Sequence, residues 1–237
     1  MKMSIYENIK GFVPSSLVDW DGKVVSVIFL SGCNFRCKFC SNKDLIINPG
    51  KLKTIDFKEI KKYLERNKDF VDGVVISGGE PSLYSGIEDL CRELKELGFL
   101  VKIDTNGSNP DMLKELLDKK LVDFVAMDIK TSFSKYKELT GWDDIDKIKK
   151  SIELTSKFPD YEFRITVFPG LNKEDLLEVA RYLQENQANK ALFLQQFRND
   201  SCLDKEFEAK PAYKKEQLEE FSYLIKPFFE KSGIRNL

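Results

Sequence analysis

Short apolar runs alternate along the whole chain with segments in which apolar residues recur every three or four positions. The runs have the length and β-branched content of buried strands, and the periodic segments are typical of amphipathic helices. This alternation predicts an α/β fold in which βα units repeat around a parallel sheet. The six predicted strands are KVVSVIFL (23–30), GVVIS (73–77), FLVKID (99–104), VDFVAMD (122–128), FRITVF (163–168) and ALFLQQF (191–197).

Helical periodicity is clearest at 87–97 and 176–183, and Asp56 and Asn172 are suited to cap the helices that follow them. A last amphipathic segment, at about 213–231, predicts a closing helix that Pro227 bends or shortens. Six βα units in 237 residues predict a partial (β/α)6 TIM-like barrel with parallel strands, formed as one domain over residues 1–237.

Unusual polar motifs follow the predicted strands, and each comes where its strand ends. In a parallel barrel the loops at the carboxyl ends of the strands converge on one face, where ligand sites form. We therefore expect distant parts of the chain to contribute to one cavity. The motifs are the cysteine loop (31–42), SGGEP (77–81), DTNG (104–107), MDIK (127–130), FPGLN (168–172) and QQFR (195–198).

Composition limits the classes of function. The chain has 38 basic and 39 acidic residues, a net charge of -1, which does not favour nucleic acid as a partner. It has no histidine, which excludes Cys-His zinc sites and Ser-His-Asp triads. We find neither a signal-peptide pattern nor a long apolar run, so we expect a cytoplasmic protein that does not enter a membrane.

Three of the five cysteines, Cys33, Cys37 and Cys40, lie within eight residues in the spacing C-x3-C-x2-C. Thiolates are the usual ligands of iron-sulfur clusters, and three of them leave one iron of a cubane open for a small molecule. The alternative is a structural zinc site that takes its fourth ligand from Cys91, Cys202 or a carboxylate. We interpret Cys91 as a buried apolar residue of its helix and Cys202 as a free loop thiol.

The motif CNFRCKFC resembles the cluster loop of the radical S-adenosylmethionine (SAM) superfamily, and SGGEP resembles the second-strand motif of that superfamily. DTNG, MDIK and VFPGLN resemble the activating enzymes of glycyl radical enzymes over nearly the whole chain. DWDGKVVSVIFLSGCNFRCKFCSN and FLQQFR are most similar to the anaerobic ribonucleoside-triphosphate reductase activating proteins.

The resemblance implies that Cys33, Cys37 and Cys40 hold a 4Fe-4S cluster whose open iron binds SAM. It places Phe39, the aromatic residue before the last cysteine, next to this cofactor. Ser41 stands directly after the last cysteine, where many relatives have histidine, so hydrogen bonding near the cofactor is expected to differ.

The glycine motif also has an implied role beside the cofactor. Because Gly78 and Gly79 lack Cβ, their backbone can approach the cofactor closely, and Glu80 can face the ammonium group of its methionine part. The other reading is a tight strand-to-helix turn without a ligand.

Further cofactor contacts are implied at the ends of the later strands. Asp104 and Asp128, with Thr105, are predicted to hold a monovalent cation beside the cofactor carboxylate, although strand-end acids are often only solvated. Lys130 is predicted either to reach the cofactor or to form a salt bridge with Asp128. Arg164 should pair with the cofactor or with Asp128, since burying arginine alone is costly.

The resemblance implies two further cofactor contacts. Val167 and the following PGLN turn are predicted to border the adenine, and Arg198 lies near a cofactor-contacting position of the family.

The implied function is an activase that generates a radical on a glycine of a glycyl radical enzyme, with anaerobic ribonucleotide reductase as the expected partner. Flavodoxin or ferredoxin is expected as the electron donor, because the chain shows no second cluster motif. Two alternatives remain open. One is a radical SAM enzyme that acts on a small molecule or RNA, and the other is a non-enzymatic iron-sulfur electron-transfer protein.

Overall fold

A computed structural model describes residues 4–235 of the chain. Apolar alternation and β-branched content place the strands where buried positions recur. The strands within these residues are β1 (Ile9–Ser16), β2 (Val25–Leu30), β3 (Gly73–Gly78), β4 (Leu100–Thr105), β5 (Phe124–Asp128), β6 (Asp160–Val167), β7 (Ala191–Gln196) and β8 (Lys231–Arg235).

Amphipathic helices connect most of the strands, and short 3₁₀ turns flank several of them. Asp56 accepts a hydrogen bond from Lys58 N at the start of its helix, and Asn172 forms a capping box with Asp175, as the sequence predicts. The helices are α1 (Lys43–Ile47), α2 (Phe57–Arg66), α3 (Ile87–Glu96), α4 (Pro110–Asp118), α5 (Tyr136–Thr140), α6 (Ile145–Thr155), α7 (Lys173–Glu185), α8 (Lys205–Glu208) and α9 (Lys215–Ile225).

The chain divides into two compact units. Among the described residues the first comprises 4–34, 44–105 and 111–125, and in it β1 pairs antiparallel with β2, while β2 and β3, and β3 and β4, pair in parallel. Its core is made of strand residues without exposed area, such as Val27, Val75 and Val101, and of the buried face of α3. The prediction of one domain stays a prediction.

The second unit comprises the described residues 35–43, 106–110 and 126–235. Within it β6 pairs in parallel with β7, and β7 pairs in parallel with β8. Helix α7 buries Leu176, Val179 and Leu183, which confirms the predicted helical periodicity at 176–183.

The sequence predicts six strands, and residues 4–235 contain eight, because β1 and β8 were not predicted. Of the strand pairs described above in residues 4–235, only the pair of β1 with β2 is antiparallel. The predicted closing helix is also too long. Helix α9 ends at Ile225, Pro227 lies in a 3₁₀ turn, and β8 begins at Lys231. Proline cannot donate the backbone hydrogen bond that a continuing helix requires.

Candidate active site

The SGGEP turn, in the first unit, packs its backbone against the chain that leaves β2. Gly79 N donates to Leu30 O over 2.8 Å, and Glu80 N donates to Gly32 O over 2.8 Å. A Cβ on Gly79 would lie 1.8 Å from Gly32 O, and a Cβ on Gly78, whose φ is +112°, would lie 2.3 Å from Leu30 O. Contact between two backbones therefore requires both glycines, and their approach to a cofactor stays a prediction.

Glu80 has no exposed area, and its carboxylate binds donors from two motifs. Its Oε1 accepts from Ser82 N at 3.0 Å and from the hydroxyl of Thr105 at 2.7 Å. The structure thus brings the SGGEP motif and Thr105 together within the first unit.

Asp104, next to Thr105, accepts a hydrogen bond from the hydroxyl of Ser77 at 2.9 Å. Lys102 lies two residues earlier on the same face of β4, and its Nζ is 3.9 Å from Asp104 Oδ1 and 2.5 Å from Asp19 O. Sequence reasoning missed this lysine, which is 1% exposed. A lysine in an apolar strand was the available signal, since lysine is rarely buried without partners.

Asp128, at the end of β5 in the second unit, binds two cationic side chains. Arg164 Nε donates to its Oδ1 over 2.7 Å, and Lys130 Nζ donates to its Oδ2 over 3.1 Å. Burial opposes ionisation of Asp128, but Arg164 and Lys130 outweigh it and lower the pKa of this carboxyl to about 2. Arg164 and Lys130 thus both pair with Asp128, and the predicted cofactor contacts of these two residues stay predictions. The monovalent cation stays a prediction.

The cysteine loop from Phe35 onward is held by backbone contacts within the second unit. Arg36 N donates to Thr140 O over 2.7 Å, and Lys38 N donates to Leu139 O over 3.1 Å. Phe39 stacks on Phe168, with ring centroids 5.0 Å apart and an interplanar angle of 8°. This stack fixes the aromatic residue beside the last cysteine against the FPGLN turn.

The environment of Lys130 includes a residue that sequence reasoning missed. Tyr136 is fully buried, and its hydroxyl accepts a hydrogen bond from Lys130 N at 3.2 Å. Burial opposes the charge of Lys130, but Asp128 and Cys37 raise the pKa of its ammonium group. A cation therefore persists near Cys37. Burial also raises the pKa of the Cys40 thiol, although the Lys130 charge opposes this.

Three further residues were predicted to contact the cofactor. Val167 has no exposed area, and the period of two along β6 places its side chain on the face opposite Arg164. Arg198 is 70% exposed and pairs with Asp200 over 2.6 Å. Ser41 is exposed. Their cofactor contacts stay predictions.

The five cysteines form no disulfide. Cys91 is fully buried on α3, as expected. Cys202 lies in a loop and forms no disulfide, as expected. It is 1% exposed, and its thiol donates to Arg198 O over 3.5 Å.

The chemistry of the donor set fits an iron-sulfur cluster. Cys33 and Cys40 are half-buried, Cys37 is 7% exposed, and none of the three forms a disulfide, so their thiols can serve as ligands of such a cluster. In residues 4–235 no three Cys, Asp or Glu side chains are arranged to hold one metal ion. A cubane binds each cysteine at a different iron, so its ligands need not converge on one point. The ligand roles of the three cysteines remain predictions.

Within the described range, none of the helices combines the length and apolar character needed to cross a bilayer.

Comparison with known proteins identifies the family to which the chain belongs. Residues 27–183 match the family described as the radical SAM superfamily. The chain is 35% identical, over 97% of its length and 96% of the relative, to a Methanocaldococcus jannaschii protein that carries the provisional name glycyl-radical enzyme activating enzyme. It is 29% identical to the pyruvate formate-lyase 1-activating enzyme of Escherichia coli K12, over 73% of this chain and 72% of the relative.

Among solved structures, Streptococcus suis SuiB bound to S-adenosylmethionine superimposes with a TM-score of 0.66 at 19% identity. The match covers 86% of this chain and 48% of that one, so the chain spans about half the length of this solved structure. This likeness concerns the fold alone, and it confirms the predicted α/β class with mostly parallel strands in a partial TIM-like barrel.

The chain belongs to the radical SAM superfamily. It is a radical SAM enzyme, and its cofactors are a 4Fe-4S cluster and S-adenosyl-L-methionine. Family membership disfavours the zinc and electron-transfer alternatives.

Proposed function

We propose that this chain is an activating enzyme that removes a hydrogen atom from a glycine of a glycyl radical enzyme. The observation that carries the proposal is the 35% identity to a protein named as such an activating enzyme, over 97% of this chain and 96% of the relative. The similarity extends over nearly the full length of both chains, which supports a shared activity more strongly than a match to the cofactor-binding core alone would.

The chemistry that the bound cofactors supply is reductive cleavage of the sulfonium, which gives methionine and the 5'-deoxyadenosyl radical that takes the hydrogen atom. In our proposal Cys33, Cys37 and Cys40 hold the cluster. The carboxylate of Glu80, fixed by Thr105 and Ser82, accepts the ammonium group of S-adenosylmethionine. These contacts orient the cofactor and require no proton transfer from the protein.

The arrangement around Asp128 supports an electrostatic role for Lys130. Asp128 holds Lys130 and Arg164 in fixed positions, 3.1 Å and 2.7 Å from its two oxygens. Arg164 is buried and Lys130 is half-buried, and cations in such positions favour an anionic cofactor group, such as the carboxylate of the methionine part. We also propose cofactor contacts for Gly78, Gly79, Val167, Phe39, Arg198 and Ser41, because the resemblance to the family implies them.

Anaerobic ribonucleoside-triphosphate reductase is the partner that we propose, because the cysteine-loop segment and FLQQFR resemble its activating proteins. Flavodoxin or ferredoxin is the proposed electron donor, and the cytoplasm the proposed location. The test is to incubate the reduced, cluster-loaded enzyme and S-adenosylmethionine with this reductase or with pyruvate formate-lyase. Electron paramagnetic resonance (EPR) then detects a glycyl radical.

A glycyl signal in the reductase alone supports both the activase function and the partner. A signal in pyruvate formate-lyase alone supports the proposed activase function but contradicts the proposed partner. If cofactor cleavage occurs without a signal in either enzyme, a small-molecule or RNA substrate replaces the activase proposal. A Cys40→Ala variant is the negative control, since it lacks one proposed ligand.

A further inference from the structure

The two residues that precede Cys33 have all four of their backbone polar groups bound. Ser31 N donates to Asn8 O over 2.9 Å, and Gly32 N donates to Leu45 O over 2.8 Å. Gly32 O accepts from Glu80 N at 2.8 Å, and Ser31 O accepts from the hydroxyl of Tyr84. Residues from several parts of the first unit therefore fix the direction in which the chain enters the cysteine loop.

Tyr84 is the one partner among these four that acts through its side chain. Asn8, Leu45 and Glu80 use backbone atoms, which any residue at those positions supplies. Ser31 O and Gly32 N belong to the same planar peptide group, so Tyr84 binds its C=O group and Leu45 binds its N–H group. The orientation of that plane then depends on the tyrosine hydroxyl.

The local geometry leaves little room for rearrangement. Gly32 has φ of +81°, and a Cβ there would lie 3.0 Å from the Tyr84 hydroxyl oxygen. Tyr84 is half-buried, and burial raises the pKa of its hydroxyl, which keeps it protonated as a donor.

We propose that Tyr84 is a positioning residue for Cys33. Its hydroxyl holds the Ser31–Gly32 peptide plane, and this plane sets where the Cys33 sulfur lies. The inference rests on the predicted ligand role of Cys33 and not on the identity of the partner enzyme. Sequence motifs do not indicate this role, because Tyr84 follows SGGEP by three residues in a stretch without a distinctive pattern.

The test compares Tyr84→Phe with Tyr6→Phe after anoxic cluster reconstitution. Tyr6 is a matched control in the same unit, because its hydroxyl also donates one short hydrogen bond, 2.5 Å to Glu93 Oε1. Two quantities are measured: the rate at which a chelator removes iron, and the EPR spectrum of the reduced cluster with and without S-adenosylmethionine. Urea unfolding of the cluster-free proteins reports stability.

We expect Tyr84→Phe to release iron about five-fold faster than the unmutated protein, the effect of one lost hydrogen bond, and to shift the EPR g values. Tyr6→Phe should match the unmutated protein in both measurements. Unchanged iron release and spectrum in Tyr84→Phe would overturn the proposal, as would equal changes in both variants, which would indicate a general loss of stability. An unmutated protein that binds no cluster would overturn the ligand role of Cys33 and the proposal with it.

Discussion

The hydroxyl of Thr105, the last residue of β4, donates to the buried carboxylate of Glu80 over 2.7 Å. This bond joins two residues of the first unit that are expected to face the cofactor. Glu80 has no exposed area, so bulk water cannot replace the Thr105 hydroxyl as a donor to its carboxylate.

Replacing Thr105 with valine should therefore be costly, because the shape is kept while a donor to a buried carboxylate is lost. We expect the free energy of unfolding to fall by about 1–3 kcal/mol in urea titrations. Thr54→Val is the control, since Thr54 is exposed, and it should change stability by less than about 0.5 kcal/mol. Equal values for the two variants would show that the Glu80 contact contributes nothing.

Asp128 makes stability depend on pH. Its pKa lies at about 2, below its ordinary value of 3.8, so its pairing stabilises the fold above about pH 4 and is lost as the pH falls toward 2. Asp128→Asn should lower the unfolding free energy of the cluster-free protein by about 2 kcal/mol at pH 7. The difference from the unmutated protein should shrink below pH 4.

Asp143→Asn is the control for this pH series. Lys137 lowers the pKa of the Asp143 carboxyl as well, but both side chains are exposed and solvent screens the pair. We expect no measurable pH-dependent difference for it. A difference for Asp128→Asn that stays constant from pH 7 to 2 would contradict the assigned pairing.

Gly79→Ala tests the backbone contact between the SGGEP turn and the cysteine loop. The new Cβ would lie 1.8 Å from Gly32 O, so the turn must move and the loop before Cys33 must move with it. We expect the variant to bind less than about a tenth of the normal iron, since clashes with rigid backbone cost several kcal/mol. Gly50→Ala, whose Cβ would meet no atom within 4 Å, should bind iron normally. Full iron binding by Gly79→Ala would show that the turn does not support the loop.

The sequence predicts the central strands because they are continuous apolar runs, and α3 and α7 because their apolar residues recur at helical spacing. It does not predict β1, which contains Gly11 and Pro14 and has mostly half-buried or exposed residues, or β8, which is short and carries Gly233 and charged residues. Edge strands commonly have this composition, since they are paired on one side only.

The same contrast holds in the candidate site. Asp104, Asp128 and Glu80 are predictable because they end apolar strands or lie in a known motif. Tyr84 and Lys102 donate to carbonyl groups of residues distant in sequence, and Tyr136 accepts from the backbone N–H of Lys130. A backbone group leaves no residue-type signal, so single-sequence reasoning cannot find such partners.

Formation of 5'-deoxyadenosine tests the central claim most directly. The protein would be reconstituted without oxygen, reduced with dithionite and given S-adenosylmethionine, with Cys37→Ala as the matched control. We predict that the unmutated protein forms 5'-deoxyadenosine and that Cys37→Ala forms none. An unmutated protein with a full complement of iron that forms no 5'-deoxyadenosine would contradict the assignment of radical chemistry to this chain.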